Sequence, residues 1–128
     1  MTYLERAQDL YAMMDAGRVM DAFEKYDHED VVVVEPTGET RHGKDAQRAA
    51  LHDWMSAVEE MHGGETEWVT SNEDQAVTMV QSVTDVTMNG ARSTMSEVAV
   101  QRWKGAQIIR EEFFYVVPAD VQRGTAAA

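Results

Sequence analysis

The chain lacks cysteine altogether, so neither a disulfide framework nor a thiolate site is available in its 128 residues. That absence fits a reducing cytoplasm, the expected compartment. Proline occurs twice, at Pro36 and Pro118. Each is read as the end of a strand, because a prolyl nitrogen cannot donate to a β-ladder. Positive charge is scarce, with 11 Lys and Arg against 23 Asp and Glu and a net charge of -12. Such a field repels phosphate, so neither nucleic acid nor an acidic membrane is an expected partner. It also suits a well-solvated surface or a high-salt source. No apolar run approaches the roughly 20 residues needed to cross a bilayer. The opening MTYLERAQDL is charged and amphipathic, without the apolar core of a signal peptide. There is no glycine-rich phosphate loop and no Gly-x-Ser-x-Gly elbow. His42, His52 and His62 lie ten apart, which is not a metal-ligand spacing. No metal and no cofactor is expected.

What is present is enough for one domain, residues 1–118, with a polar tail at 119–128 expected to fray. Leu4, Ala7, Leu10, Tyr11 and Met14 recur at helical spacing and predict a helix over Thr2–Asp15, stopped at Ala16-Gly17. A shorter helix is predicted over Arg18–Tyr26, with Val19, Met20, Ala22, Phe23 and Tyr26 on its inner face. Asp27-His28-Glu29-Asp30 reads as a polar turn, Val31–Glu35 as a short strand and Pro36–Glu39 as a turn. A long third helix is predicted over Lys44–Met61, with Ala46, Ala50, Trp54, Ala57, Val58 and Met61 along one side and a cap at Gly63-Gly64. From Glu65 the period becomes two. Four antiparallel strands follow, over 65–70, 75–88, 91–103 and 108–117, with Asn89-Gly90 as a strong hairpin signal. Helices followed by strands imply an α+β layer fold: three N-terminal helices, two around the start of a short first strand and one long, packed on a curved, mainly antiparallel sheet. A helix-covered curved sheet leaves a cone-shaped cavity of the kind that takes small molecules.

That order of elements, with Ala16-Gly17, the VVVVEPTG stretch at Val31–Gly38, His42-Gly43, Glu60-Met61-His62, Asn89-Gly90 and IIREEFFY at Ile108–Tyr115, resembles the nuclear transport factor 2-like (NTF2-like) superfamily and, within it, the SnoaL-like proteins. The resemblance implies a cone-shaped pocket and often a dimer packed sheet against sheet. It implies no single activity, since the fold hosts isomerases, cyclases, hydrolases, dehydratases and binding modules. Among ketosteroid isomerases a carboxylate before a proline in the first strand shuttles the proton, and Glu35 before Pro36 matches that place with one methylene more. The isomerases' acidic oxyanion donor falls on Ala99 here, and their tyrosine donor on Leu10, beside Tyr11. No Asp matches the acid/base of SnoaL-type cyclases; the nearest substitutes are Glu97 and Glu111.

The last strand carries Arg110, Glu111 and Glu112 inside an apolar stretch, and charge there must be paired or used. Alternation puts Ile109, Glu111, Phe113 and Tyr115 on one face and Ile108, Arg110, Glu112 and Phe114 on the other. By the isomerase analogy, Met95, Glu97, Ala99 and Gln101 share the pocket face with the Glu111 set. Glu97 and Glu111 on adjacent strands would form an acid/base pair, because burial and like charge both raise a carboxyl pKa. The alternative is that Arg92, Arg102 or Arg110 pairs with them. Glu35 is a proton shuttle or a polar strand end. His62 is a rim proton carrier or a histidine on the third helix's C-terminus. Tyr11 and Tyr115 are candidate donors to a ligand, with Trp54, Met55, Met95 and Phe113 as core or pocket wall. The expectation is a pocket for a small apolar or polyketide-like molecule and cofactor-free isomerase- or cyclase-type proton transfer. The alternative is a non-catalytic ligand-binding or protein-interaction module. A homodimer is expected through the face carrying Arg110, Glu112, Phe114, Met79 and Val83.

Overall fold

The computed structural model describes residues 1–116; Val117, Pro118 and the tail at 119–128 lie outside the described residues. Helix α1 spans Tyr3–Asp15, and Thr2 caps it. The Thr2 hydroxyl accepts from Glu5 N while the Glu5 carboxylate accepts from Thr2 N, which satisfies two orphan donors at once. Gly17, at φ +81°, turns the chain into α2, Val19–Tyr26. Ala7, Leu10, Tyr11, Ala22, Phe23 and Tyr26 are the buried faces of the two helices. The six-stranded sheet runs β2-β1-β6-β5-β4-β3 and is curved but unclosed. Its strands are β1 Asp27–Val34, β2 Thr40–His42, β3 Val58–Asn72, β4 Val77–Met88, β5 Ala91–Lys104 and β6 Gln107–Phe114. Helix α3, Lys44–Ala57, connects β2 to β3. The core joins α1 and α2 to Val31, Val33, Val80, Trp103 and Ile108 on the inner sheet face.

Several expectations are corrected. The Asp27–Asp30 segment is no turn. It is the first half of β1, which lies parallel to β6 with Asp27 opposite Ile108, and Asp27 is buried. Three more residues separate the pairs on β1 than on β6, so the polar His28–Asp30 stretch bulges outward between them. Apart from this one parallel pair the sheet is antiparallel, as expected, and it gains the short β2.

The third helix ends at Ala57, not Met61. From Val58 onward the backbone finds a ladder partner in β4 along nearly its whole length, and that pairing outcompetes about one further helical turn. Gly63 and Gly64 are then extended strand residues opposite Asp85 and Thr84, not a helix cap. Ala46 and Ala57 are exposed, and the inner side of α3 is Gln47, Ala50, Leu51 and Trp54. Met55 points to solvent rather than into a wall.

In β6 the alternation is broken once. Arg110 pairs with Arg102 and Ile108 with Trp103, leaving Ile109 as an extra residue. This bulge turns Ile108 inward to join the core, so it does not share the outer face with Arg110.

Candidate functional site

The regular β4–β5–β6 ladder puts a row of side chains on the concave face. Thr78 faces Gln101 and Gln101 faces Glu111; two residues further along, Val80 faces Ala99 and Ala99 faces Phe113; beyond them Ser82 faces Glu97. The parallel ladder adds Val33 beside Glu111, and alternation carries Glu35 to the same face. Four carboxylates from β1, β5 and β6 thus turn into one interior: Asp27, Glu35, Glu97 and Glu111.

A cleft of about 280 Å³ opens above this row, lined by Glu35, Trp54, Val86, Met88, Ser93, Met95, Glu97 and Tyr115. Helix α3 supplies Trp54 and the two strands of the Asn89-Gly90 hairpin supply Val86 to Met95. Of the residues singled out in the sequence, Glu35, Trp54, Met95, Glu97 and Tyr115 line the cleft. Glu111 and Tyr11 lie beneath it in the core, and Phe113 packs against that core. His62 does not end a helix and does not line the cleft. It sits in β3, where its Nε2 shares a 2.7 Å hydrogen bond with the Thr87 hydroxyl.

The carboxylates differ sharply in what holds them. Both oxygens of Glu35 are engaged: Arg41 donates to one at 2.8 Å and the Tyr115 hydroxyl to the other at 2.8 Å. Arg41 is fixed in turn by the Gln47 side chain, whose oxygen accepts from Nε at 2.7 Å. Glu111 accepts from the Gln101 amide at 2.9 Å. Glu97 forms no ion pair among the described residues. Arg92 and Arg110, two of its candidate partners, are paired with Asp85 and Glu112.

Burial pushes the Glu97 carboxyl up to about 7, and the charges of Glu111 and Glu35 add to the shift. Burial also raises Glu111, with Glu35 adding to it, while the Gln101 donor and Arg41 pull it back. Asp27 is raised by burial and then by Glu111, against the pull of Lys44. Burial lifts the Tyr115 hydroxyl, and its hydrogen bond to Glu35 lifts it further. Among the described residues no cluster of three or more His, Asp or Glu side chains is arranged to hold a metal ion.

Nothing in the sequence marks Asp27 or Arg41 as a site residue. Asp27 sits in a run of polar residues that looks solvated. Arg41 becomes informative only when β2 pairs with β1 and brings it to Glu35, six residues away. Gln101 was legible only as a polar residue on an inward-facing position of β5.

Comparison with known proteins decides the family. The SnoaL-like domain family matches residues 1–115. The chain is a SnoaL-like protein of the NTF2-like superfamily. A solved structure from Mesorhizobium loti, whose description proposes a SnoaL-like polyketide cyclase with carbohydrate phosphatase given alongside, is 32% identical; the match covers 90% of this chain and all of that one, with a TM-score of 0.80. An NTF2-like protein of unknown function from Burkholderia pseudomallei has a TM-score of 0.75 at 19% identity over 89% of this chain and 90% of that one. A ketosteroid isomerase-like fold from Catenulispora acidiphila, in complex with trimethylamine, has a TM-score of 0.71 at 14% identity over 85% and 84% of the two chains. The last two show likeness of fold alone. No curated protein matches the chain. No helix among the described residues is long and apolar enough to cross a membrane.

Proposed function

We propose that this SnoaL-like protein binds a modest apolar or polyketide-like molecule in the cleft and moves a proton on it without a cofactor, in an isomerase- or cyclase-type reaction. The observation that carries this reading is Glu97, a carboxyl with no cation partner among the described residues, set among Trp54, Val86, Met88 and Met95, with its pKa raised to about 7. A carboxylate in that range exchanges its proton readily at neutral pH and can abstract one from a carbon acidified by a neighbouring carbonyl. Glu35, clamped between Arg41 and Tyr115, is the weaker candidate for a mobile base, and its fixed charge supports the raised Glu97. Trp54 and the methionines supply apolar contact and shape. The Mesorhizobium loti relative, whose description proposes a SnoaL-like polyketide cyclase beside carbohydrate phosphatase, supports the ligand class.

The test uses 2-tetralone, an apolar bicyclic ketone with exchangeable α-protons, incubated with the protein in D2O and followed by proton NMR. The wild type accelerates exchange, with a rate that rises through pH 7 as Glu97 ionises, and Glu97→Gln loses the acceleration. Undiminished exchange by Glu97→Gln would sink the proposal.

A second reading is a binding module without catalysis. Ala99, buried on the inner face, provides no hydrogen-bond donor where the isomerases hold an acid. Saturable shifts of the Trp54 indole signal by 2-tetralone, without exchange, would favour it.

We further propose that two copies pair through the outer sheet face, where Trp68, Met79 and Phe114 are 42%, 39% and 52% exposed. Association of this kind covers large apolar groups that a monomer leaves in water.

A further inference from the structure

Behind the cleft a chain of hydrogen bonds runs through the closed part of the core. Trp103 Nε1 donates to the Thr78 hydroxyl at 2.9 Å, and that hydroxyl donates to Gln101 Oε1 at 2.7 Å. The Gln101 amide nitrogen donates to Glu111 at 2.9 Å and to the Tyr11 hydroxyl at 3.4 Å. Thr78 and Gln101 are fully buried, and Trp103, Tyr11 and Glu111 are nearly so. Thr78, Gln101 and Glu111 are direct cross-strand partners on β4, β5 and β6, so the chain follows one row of the sheet.

The chemistry of the donors gives the row one direction. An indole N–H can only donate, so the Thr78 oxygen accepts from it and has its own proton to place. With the amide as found, that proton meets the Gln101 carbonyl oxygen and the NH2 meets Glu111. With the amide turned over, the Thr78 proton would lose its acceptor in a dry interior, and a carbonyl oxygen would face a carboxylate. Both changes leave buried polar atoms unpaired, at a cost of about 1–3 kcal/mol each.

We propose that Thr78, backed by Trp103, is a positioning residue for the carboxylate site: it locks the Gln101 amide with its NH2 on Glu111, so that Glu111 is held as an acceptor whose charge acts on Glu97. Neither Thr78 nor Trp103 lines the cleft. This deepens the proton-transfer reading, but its test needs no turnover. The charged and titratable groups that act on Glu111 are Asp27 of β1, Glu35 just beyond it, Arg41 of β2, Tyr11 of α1 and Glu97 of β5, with Gln101 of β5 hydrogen-bonded to it. Lys44 of α3 and Glu24 of α2 face Asp27.

Thr78→Val keeps the shape of the side chain and removes the hydroxyl. The Gln101 amide is then free to turn its oxygen toward Glu111, which favours the protonated acid. A Glu111 that is neutral to higher pH no longer opposes ionisation of Glu97. The two carboxyls therefore move in opposite directions: Glu111 upward by about 0.5–1 pH unit and Glu97 downward by less. Thr78→Ser, which keeps the hydroxyl, restores both.

The experiment is a titration of the carboxyl carbons of 13C-glutamate-labelled protein by NMR, assigned with Glu97→Gln and Glu111→Gln. In the wild type, which needs no variant to fold, the Gln101 side-chain NH2 protons shift with the same midpoint as the Glu111 carboxyl. Opposite movement of the two carboxyls in Thr78→Val, with recovery in Thr78→Ser, supports the proposal. Movement in the same direction, no movement, an equal effect in Thr78→Ser, or wild-type Gln101 protons indifferent to the Glu111 titration would each overturn it. Loss of 2-tetralone exchange is a separate readout, so either claim can fail while the other stands.

Discussion

Replacing Glu97 by glutamine should make the protein more stable, by an amount that grows as pH rises from about 4.5 and levels off above about 7. In the native state the Glu97 carboxyl titrates at about 7 instead of its ordinary 4.5, chiefly because burial disfavours the charged form. The native state therefore binds this proton more tightly than the unfolded chain does. Below pH 4.5 the group is neutral in both states and imposes no penalty. As pH rises from 4.5 to 7 the unfolded chain ionises first and stability falls; above 7 the penalty is complete. A shift of roughly 2.5 units at about 1.36 kcal/mol per unit sets that penalty at about 3 kcal/mol. Glutamine has nearly the same shape and no charge to desolvate. The difference between Glu97→Gln and wild type should then be near zero at pH 4.5 and approach about 3 kcal/mol in favour of the variant at pH 8.5, or about 10 °C in Tm for a domain of this size. Urea unfolding of both proteins at pH 4.5, 6, 7 and 8.5 measures it. The raised carboxyls Asp27 and Glu111 lower the stability of both proteins over the same range, so the difference between the two curves is the readout. A difference independent of pH, or a variant less stable at pH 8.5, would show that Glu97 is a paired and solvated charge and refute the reasoning.

Three further outcomes are expected. Arg41→Met should cost about 2–4 kcal/mol, because it strips the half-buried Glu35 and the buried Gln47 of their shared donor, and the double variant Arg41→Met/Glu35→Gln should lose less than the sum of the single changes in urea unfolding. Gly43→Ala should cost about 1–3 kcal/mol, because Gly43 sits at φ +93° and ψ 154°, a region open essentially to glycine alone; an unchanged urea midpoint would contradict the backbone described between β2 and α3. Phe114→Glu should leave the far-ultraviolet circular dichroism intact and convert a dimer to a monomer in light scattering, and a variant with unaltered mass would place the pairing surface elsewhere.

Much of the chain's local structure was already determined by its sequence. The 3.6-residue pattern of α1 and α2 includes every side chain those helices bury, along with the half-buried Leu4, Met14, Val19 and Met20, because a helix face is a local property of spacing. Asn89-Gly90 forms the predicted turn, with both residues at positive φ, and so sets the β4–β5 register that puts Met95, Glu97, Ala99 and Gln101 inward. The α+β layer architecture was legible for the same reason, since the order and period of the elements admit few ways to cover one sheet face, whereas its NTF2-like form was legible only through the resemblance of its motifs. What sequence could not decide were competitions between distant segments. Val58–Met61 carries enough helical character to extend α3, and only the partner strand β4 makes it extended. The Ile109 bulge, invisible to a strict two-residue period, turns Ile108 into the core. Asp27 looks like a solvated turn residue until β1 docks beside β6 and buries it near Glu111. The state of each carboxylate was likewise set by tertiary contact alone. Glu35 is clamped because β2 brings Arg41 to it, while Glu97 has no cation partner among the described residues because Arg92 and Arg110 find acids on the other face of the sheet. A carboxyl's chemistry depends on what surrounds it within a few ångströms, and those neighbours come from strands far apart in the chain.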